Sequence, residues 1–404
     1  MTKKTHCKDL AFFGGQPSFK DQVYVGRPNT VNRQQLYKRI DDMLDRRWYT
    51  NGGPYVQEFE QRIQNYIGVK HCIALCNATV ALEIAIRATG MQGEVIIPSF
   101  TFIATAHALQ WQEITPVFCD IDPHTHNIDT KLVERMITPR TTGIIGVHVW
   151  GRACDVDELT EIAKRNNLKL VFDAAHAFSS SHNGKMIGNF GEAEVFSFHA
   201  TKFFNTFEGG AIVTNDDALA KKIRLMKNFG FAGYDNVIFI GTNGKMTEVC
   251  AAMGLTGFEK ITEFIGINQR NYNQYKRNLS DIDGLTQVQY DGDNNYNYSY
   301  IILEIDEAIT GISRDQLTKI LHAENIIARR YFYPGCHQME PYRSYYPHAG
   351  ILLPVTERLC QQVLVLPTGT AIEESDIDKI CEIIILTINN SEEIVAKTTN
   401  TYES

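Results

Sequence analysis

The sequence predicts an α/β protein, with a mostly parallel, doubly wound sheet in a large domain and a smaller α+β domain after it. Three observations carry that prediction. Short apolar runs alternate with segments of helical period from about residue 71 to residue 173, and the rhythm changes after Val213. A chain of 404 residues, 44% hydrophobic and 21% charged, can bury a large core, and its length allows one large domain with a smaller one, or two to three equal domains.

The elements follow in order. His71-Cys-Ile-Ala-Leu-Cys76 reads as a buried strand, Val80 to Ala88 as a helix, Glu94-Val-Ile-Ile-Pro98 as a strand and Thr105 to Gln112 as a helix. Pro116 to Asp120 and Gly143 to Val149 read as further strands, Asp157 to Asn166 as a helix, and Lys169-Leu-Val-Phe-Asp173 as a central strand. Such alternation implies parallel pairing, because each crossover helix returns the chain to the same sheet edge. Beyond Val213, Asp217 to Phe229 is helical and Met246 to about Leu279 is a long, largely helical bridge. Tyr298 to Ile305 and Ile326 to Arg330 look like strands, with helices at Arg314 to Glu324 and from Thr356 and Glu374. Residues 1–255 are expected to form the large domain with an N-terminal arm, and 256–404 the bridge and small domain. The polar stretch Ser391 to Ser404 is expected to be frayed.

Composition excludes several classes of function. A net charge of −8 without a lysine and arginine block argues against nucleic acid or an anionic membrane as partner. Nine scattered cysteines form no paired CxxC array and read as reduced core thiols. The start of the chain has too short an apolar stretch for a signal peptide, and no segment reaches the roughly 18 apolar residues of a membrane helix. A cytoplasmic location is the expectation.

Chemistry concentrates where strands end. Lys202, in Ser197-Phe-His-Ala-Thr-Lys202, follows an apolar strand and precedes Glu208-Gly-Gly. In a partly desolvated site its pKa can fall until the amine serves as nucleophile and proton shuttle. Asp173 closes an apolar strand at its carboxyl end, where open α/β sheets bind ligands, although a strand-terminal aspartate also serves as a cap. An amine paired with a buried acid suits pyridoxal phosphate: the acid keeps the pyridine nitrogen protonated, and the amine forms the imine. The turn Asn77-Ala78-Thr79 opens a helix, so free N–H groups and the Thr79 hydroxyl could hold a phosphate, with a further hydroxyl from Ser197. Ordinary capping and a satisfied strand serine are the alternatives. Phe102 could stack on a cofactor ring or be plain core. His176 could bond a phenolic oxygen, orient the acid, or simply be packed.

Together these residues resemble the DegT/DnrJ/EryC1/StrS sugar-nucleotide aminotransferases, fold type I pyridoxal phosphate enzymes, over about Tyr24 to Ile388. The resemblance rests on Trp48 to Glu60, Pro98 to Thr105, Phe172-Asp-Ala-Ala-His176, Ser197 to Gly210, Gly241-Thr-Asn-Gly-Lys-Met246 and Tyr331-Phe-Tyr-Pro-Gly-Cys-His337. It implies that Lys202 forms the Schiff base and Asp173 pairs with the pyridine. It also implies that Ala78, Thr79 and Ser197 cradle the phosphate, that Phe102 stacks, and that Tyr333 and His337 line the sugar-nucleotide site. Asn243, which by itself reads as a turn residue beside Gly244, would reach the phosphate of a neighbouring subunit, so a homodimer with shared active sites is expected. Many family members carry glutamine where this chain has His176. A related dehydratase branch replaces the lysine by histidine; lysine is present here, which favours transamination. Within the family the pattern looks most like enzymes aminating C4 of dTDP-4-keto-6-deoxyglucose with glutamate as donor. Amination at C3, a pyridoxal phosphate sugar dehydratase and a non-catalytic sugar-nucleotide-binding regulator are the alternatives.

Overall fold

The computed structural model describes residues 4–400. Its largest sheet has seven strands: β1 (His71–Leu75), β2 (Glu94–Pro98), β3 (Thr115–Cys119), β4 (Thr141–Val147), β5 (Lys169–Asp173), β6 (Ala193–Ser197) and β7 (Gly210–Thr214). Their spatial order is β1-β7-β6-β5-β4-β2-β3. Strand β7 runs antiparallel to both neighbours, and the remaining pairings are parallel.

Alternation along each strand sends side chains to two separate cores. Ile73, Leu75, Ile97, Ile145, Val171, Val195 and Ile212 face the helix Ala78–Thr89 on one side. Cys72, Ala74, Phe196, Ala211 and Val213 pack on the other side against the helix Pro54–Ile67, and Ile96, Ile144, Leu170 and Phe172 against Val156–Arg165. A sheet covered on both faces explains why its strands read as continuous apolar runs. The helix Val156–Arg165 forms where its ends are stabilised: Asp155 accepts from Glu158 N at 3.1 Å, Asp157 and Glu158 lie in the first turn, and Lys164 and Arg165 in the last. Its buried stripe is Val156, Leu159, Ile162 and Ala163.

The second unit is a three-stranded antiparallel sheet, Leu285–Gln287, Ile301–Ile305 and Val363–Leu366. It packs with the helices Ile261–Leu279, Arg314–Ala323 and Glu374–Asn389, and Cys7, Leu10 and Phe19 from the amino-terminal arm complete this core. The buried carboxylate of Glu324 fastens that arm, accepting from Ala11 N, Ser18 N and Ser18 Oγ at 2.7 Å each. A comparable clasp joins the two units: Asp120, just past β3, accepts from Val355 N (2.9 Å), Thr356 N (2.8 Å) and Thr356 Oγ1 (2.7 Å) at the start of the helix Pro354–Gln362.

Several expectations change. Arg33–Arg46 and Pro54–Ile67 are helices in addition to those read from the sequence. The bridge divides at Glu259 and Lys260 into Glu248–Phe258 and Ile261–Leu279. The strand from Ile326 is only Ile326–Ile327, paired with Val23–Tyr24, and continues as a single bridge between Arg329 and Val365. Ser391–Asn400 is helical rather than frayed, because Ile394 is buried in the small core. Residues 1–3 and 401–404 lie outside the described part. Among the described residues no helix is long and apolar enough to cross a membrane, no cluster of three or more histidine, cysteine or acidic residues could hold a metal ion, and all nine cysteines are free thiols.

Candidate active site

The candidate residues meet at the carboxyl edge of the sheet. Because β7 is reversed, it begins at the edge where its neighbours end: Gly210 pairs with Leu75 on one side and Ser197 on the other. This alignment brings the helix start after β1, the turn after β5 and the Lys202 segment between β6 and β7 to one place.

Asp173 is 5% exposed. Its Oδ2 accepts from Thr105 Oγ1 at 2.8 Å and its Oδ1 from Ala175 N at 3.1 Å, which fixes the carboxylate plane. Burial pushes its pKa above the ordinary aspartate value, against the pull of those hydrogen bonds and of the Lys202 charge. Lys202 responds in the opposite sense. Burial lowers its amine to about 8, with Asp173 opposing and Arg329 adding to the fall. Lys202 Nζ donates to Tyr300 Oη at 3.1 Å.

His176 lies in an aromatic box. Its ring centroid is 4.3 Å from Tyr300, 5.8 Å from Phe332 and 6.0 Å from Trp150. Burial holds its pKa well below the usual histidine value, so the ring is neutral at pH 7. Its Nδ1 is buried without a hydrogen-bond partner. A buried donor or acceptor left unpaired is costly, and one facing a candidate site is a place where a ligand completes the bonding.

Ser197 closes β6, 9% exposed, and its Oγ accepts from His199 N at 3.4 Å. Asn77 caps the helix Ala78–Thr89 by accepting from Val80 N at 2.8 Å, leaving the N–H groups of Ala78 and Thr79 without intrahelical acceptors. A Cβ on Gly210 would lie 2.7 Å from Ala78 N, so only glycine lets the strand pass this close to the helix start. Phe102, at the N-cap of Ile103–Gln110, leaves its ring 60% exposed beyond β2.

Ala175, His176, Ser197, Lys202 and Tyr300 line one cavity. Asn243, Tyr333 and His337 are not among the residues lining it. Asn243 is exposed, but the segment carrying it is pinned to the outer edge of β1, where Gly244 O accepts from Cys76 N at 2.8 Å. Tyr333 stacks beneath Arg330 (4.5 Å) and Arg314 (5.1 Å). His337 is 2% exposed, with Nδ1 2.7 Å from Ser99 Oγ and Nε2 2.7 Å from Glu357 Oε1. Both of its ring nitrogens have partners within the protein. Sequence reasoning passed over Thr105, Trp150, Tyr300 and Tyr331. Trp150 has a positive φ of 61°, and its Nε1 donates to His126 Nδ1 at 3.1 Å.

These features fit pyridoxal phosphate. A buried acid faces where a pyridine nitrogen would lie, a lysine amine is partly deprotonated near neutrality, a helix start offers free N–H groups to a phosphate, and the unpaired His176 Nδ1 awaits a partner.

Comparison with known proteins agrees with this chemistry. Residues 31–385 match the DegT/DnrJ/EryC1/StrS aminotransferase family. A dTDP-4-amino-4,6-dideoxy-D-glucose transaminase of Shigella dysenteriae is 38% identical over 320 residues, covering 79% of this chain and 87% of that protein. A GDP-perosamine synthase of Caulobacter vibrioides is 36% identical over 89% of this chain and 96% of its own length. Among solved structures, DesI in the presence of its TDP-sugar product superposes with a TM-score of 0.93 and 49% identity, covering 97% of this chain and 99% of that one.

Proposed function

The chain belongs to the DegT/DnrJ/EryC1/StrS aminotransferase family and is a sugar-nucleotide aminotransferase; from that premise we propose its substrate, cofactor and residue roles. The reaction is dTDP-4-keto-6-deoxy-D-glucose plus L-glutamate to dTDP-4-amino-4,6-dideoxy-D-glucose plus 2-oxoglutarate, with pyridoxal phosphate as cofactor. Support for the sugar comes from the name of the Shigella dysenteriae relative and from the TDP-sugar product present with DesI. The observation that carries the chemistry is the Lys202 amine, brought to about 8 by burial and within electrostatic reach of the buried Asp173.

When bound, pyridoxal phosphate supplies an aldehyde that carries the amino group and a conjugated ring that delocalises the electrons left when a carbon-bound proton departs. The protein does the rest. Asp173, held by Thr105 and Ala175, keeps a proton on the pyridine nitrogen. Ala78 N, Thr79 N with its hydroxyl, and Ser197 Oγ hold the phosphate, joined by Asn243 of a second subunit in a homodimer. Phe102 covers one face of the ring, and His176 Nδ1 bonds its phenolic oxygen. Lys202 Nζ would take the α proton of glutamate and return it two atoms away, on the carbon of the cofactor's aldehyde group; a water would then release 2-oxoglutarate while the amino group stays behind, and the keto sugar would take up that amino group, giving back a water, by the same proton movements in reverse. The desolvation that lowers the amine to about 8 keeps part of it neutral near pH 7.

The test is to incubate the holoenzyme with glutamate alone and follow the absorbance change to the pyridoxamine form. The keto sugar is then added, and NMR locates the new C–N bond. Nitrogen at C4 with ping-pong kinetics is expected. Nitrogen at C3 would overturn the specificity, and no response to glutamate would overturn the reaction.

A further inference from the structure

The Lys202 amine is held by a residue on the opposite side of the seam between the two units. Its hydrogen bond runs to Tyr300 Oη at 3.1 Å, and Tyr300 directly precedes the strand Ile301–Ile305 of the small sheet. The phenol is 5% exposed and confined on several sides: 4.3 Å from His176, 5.6 Å from Trp150 and 5.6 Å from Tyr331, centroid to centroid. Its backbone is held as well, its carbonyl accepting from Tyr290 Oη at 3.3 Å. A ring fixed in that way presents its hydroxyl at one point, and that point is within reach of a side chain with four rotatable bonds.

We propose that Tyr300 is a positioning residue that receives the Lys202 amine whenever that nitrogen is not bonded to the cofactor. The inference rests on the aminotransferase reading, because only a lysine that is repeatedly released and re-engaged needs such a place. Between the two halves of the reaction the amine must stay close and in one orientation, since a free lysine chain spreads over many rotamers and only a small fraction of them would be placed to react. The hydroxyl remains protonated, burial pushing its pKa well above the ordinary tyrosine value, and its oxygen accepts from the amine. The groups facing the amine are Asp173, which favours its charge, Arg329, which opposes it, and His176, which is neutral at pH 7. Tyr300 adds a neutral acceptor that favours the ammonium form.

Losing an acceptor from the ammonium form lowers the titration midpoint of the amine. The apoenzyme is labelled with trinitrobenzenesulfonate across the pH range, and the extent at Lys202 is read by peptide mapping, alongside thermal unfolding. The parent is expected to titrate near 8. Tyr300→Phe should titrate about one pH unit lower, a tenfold change in the protonation constant, with an unfolding temperature close to the parent's. An unchanged midpoint, or a rise, overturns the proposal. Should Tyr300→Phe fail to fold, Tyr300→Leu, which also lacks the acceptor, is titrated in its place, and no fall in the midpoint there overturns the proposal equally. Failure of the sugar reaction would leave this labelling experiment untouched, so the two readings fail separately.

Discussion

Replacing Gly210 by alanine tests whether the start of the helix Ala78–Thr89 is the phosphate cradle. The added Cβ would lie 2.7 Å from Ala78 N, 2.7 Å from Asn77 C and 2.9 Å from Ala78 Cα, where ordinary contact begins at 3.4 Å. Strand β7 cannot retreat, because it is hydrogen-bonded to β1 on one side and β6 on the other. The helix start must therefore yield by about 0.7 Å, which carries an N–H donor at 2.9 Å beyond hydrogen-bonding range. A hydrogen bond to a charged group contributes about 1.5–3 kcal/mol, so pyridoxal phosphate should bind the apoenzyme about 10- to 150-fold more weakly. Overpacking should also cost about 1–3 kcal/mol of stability. Pyridoxal, which lacks the phosphate, separates the two effects: its affinity for Gly210→Ala should match that for the parent. The assay is equilibrium dialysis of both ligands against both apoenzymes. If Gly210→Ala and the parent discriminate equally between pyridoxal phosphate and pyridoxal, the phosphate does not sit at this helix start.

Three further outcomes are expected. Cofactor capture by the apoenzyme, followed by absorbance, should accelerate about tenfold between pH 7 and 9 and then level off, whereas an ordinary lysine would climb about a hundredfold over that span. Asp173→Asn should reduce kcat by about 10²–10³. Burial raises the folded pKa of Asp173 above its unfolded value, so its charge destabilises the fold at pH values above both; Asp173→Asn apoenzyme should then unfold at pH 7 at a temperature no lower than the parent's. Glu248 is 1% exposed and accepts from Tyr55 N (2.9 Å) and Val56 N (3.0 Å) at the start of Pro54–Ile67. Glu248→Ala should cost about 3–5 kcal/mol in urea unfolding by orphaning both donors, and a loss under about 1 kcal/mol would remove Glu248 as the helix anchor.

The central strands were legible because burial on both faces leaves an unbroken apolar run: Glu94–Pro98 and Lys169–Asp173 begin and end where the sequence places them. The helix Arg33–Arg46 was not, because it buries only Leu36 and Met43 and its remaining positions are mostly charged or polar, although Leu36, Ile40, Met43 and Leu44 recur at helical spacing and Asn32 caps its start. Val363–Leu366 lay unmarked beyond a helix that ends at Gln362, where an apolar run of four residues is ambiguous between strand and helix. At the site, Lys202, Asp173, Ser197, Ala78 and Thr79 stood out because each sits beside a strand end visible in the local sequence. Their partners did not. Thr105 reaches Asp173 across 68 residues and Tyr300 reaches Lys202 across 98, distances at which spacing carries no information. The partners of His337 were equally hidden, since only tertiary structure brings Ser99 and Glu357 to its two ring nitrogens.

The three bonds that Asp120 accepts at the start of Pro354–Gln362 make the smaller unit a fixed wall rather than a swinging door. Opening by rigid rotation would strip a carboxylate of its partners in a dry interior, a penalty far larger than that of reorienting exposed rings such as Phe102. Traffic of large, charged molecules through this cleft is thus governed by side chains and surface loops at the rim, while the framework behind them stays still.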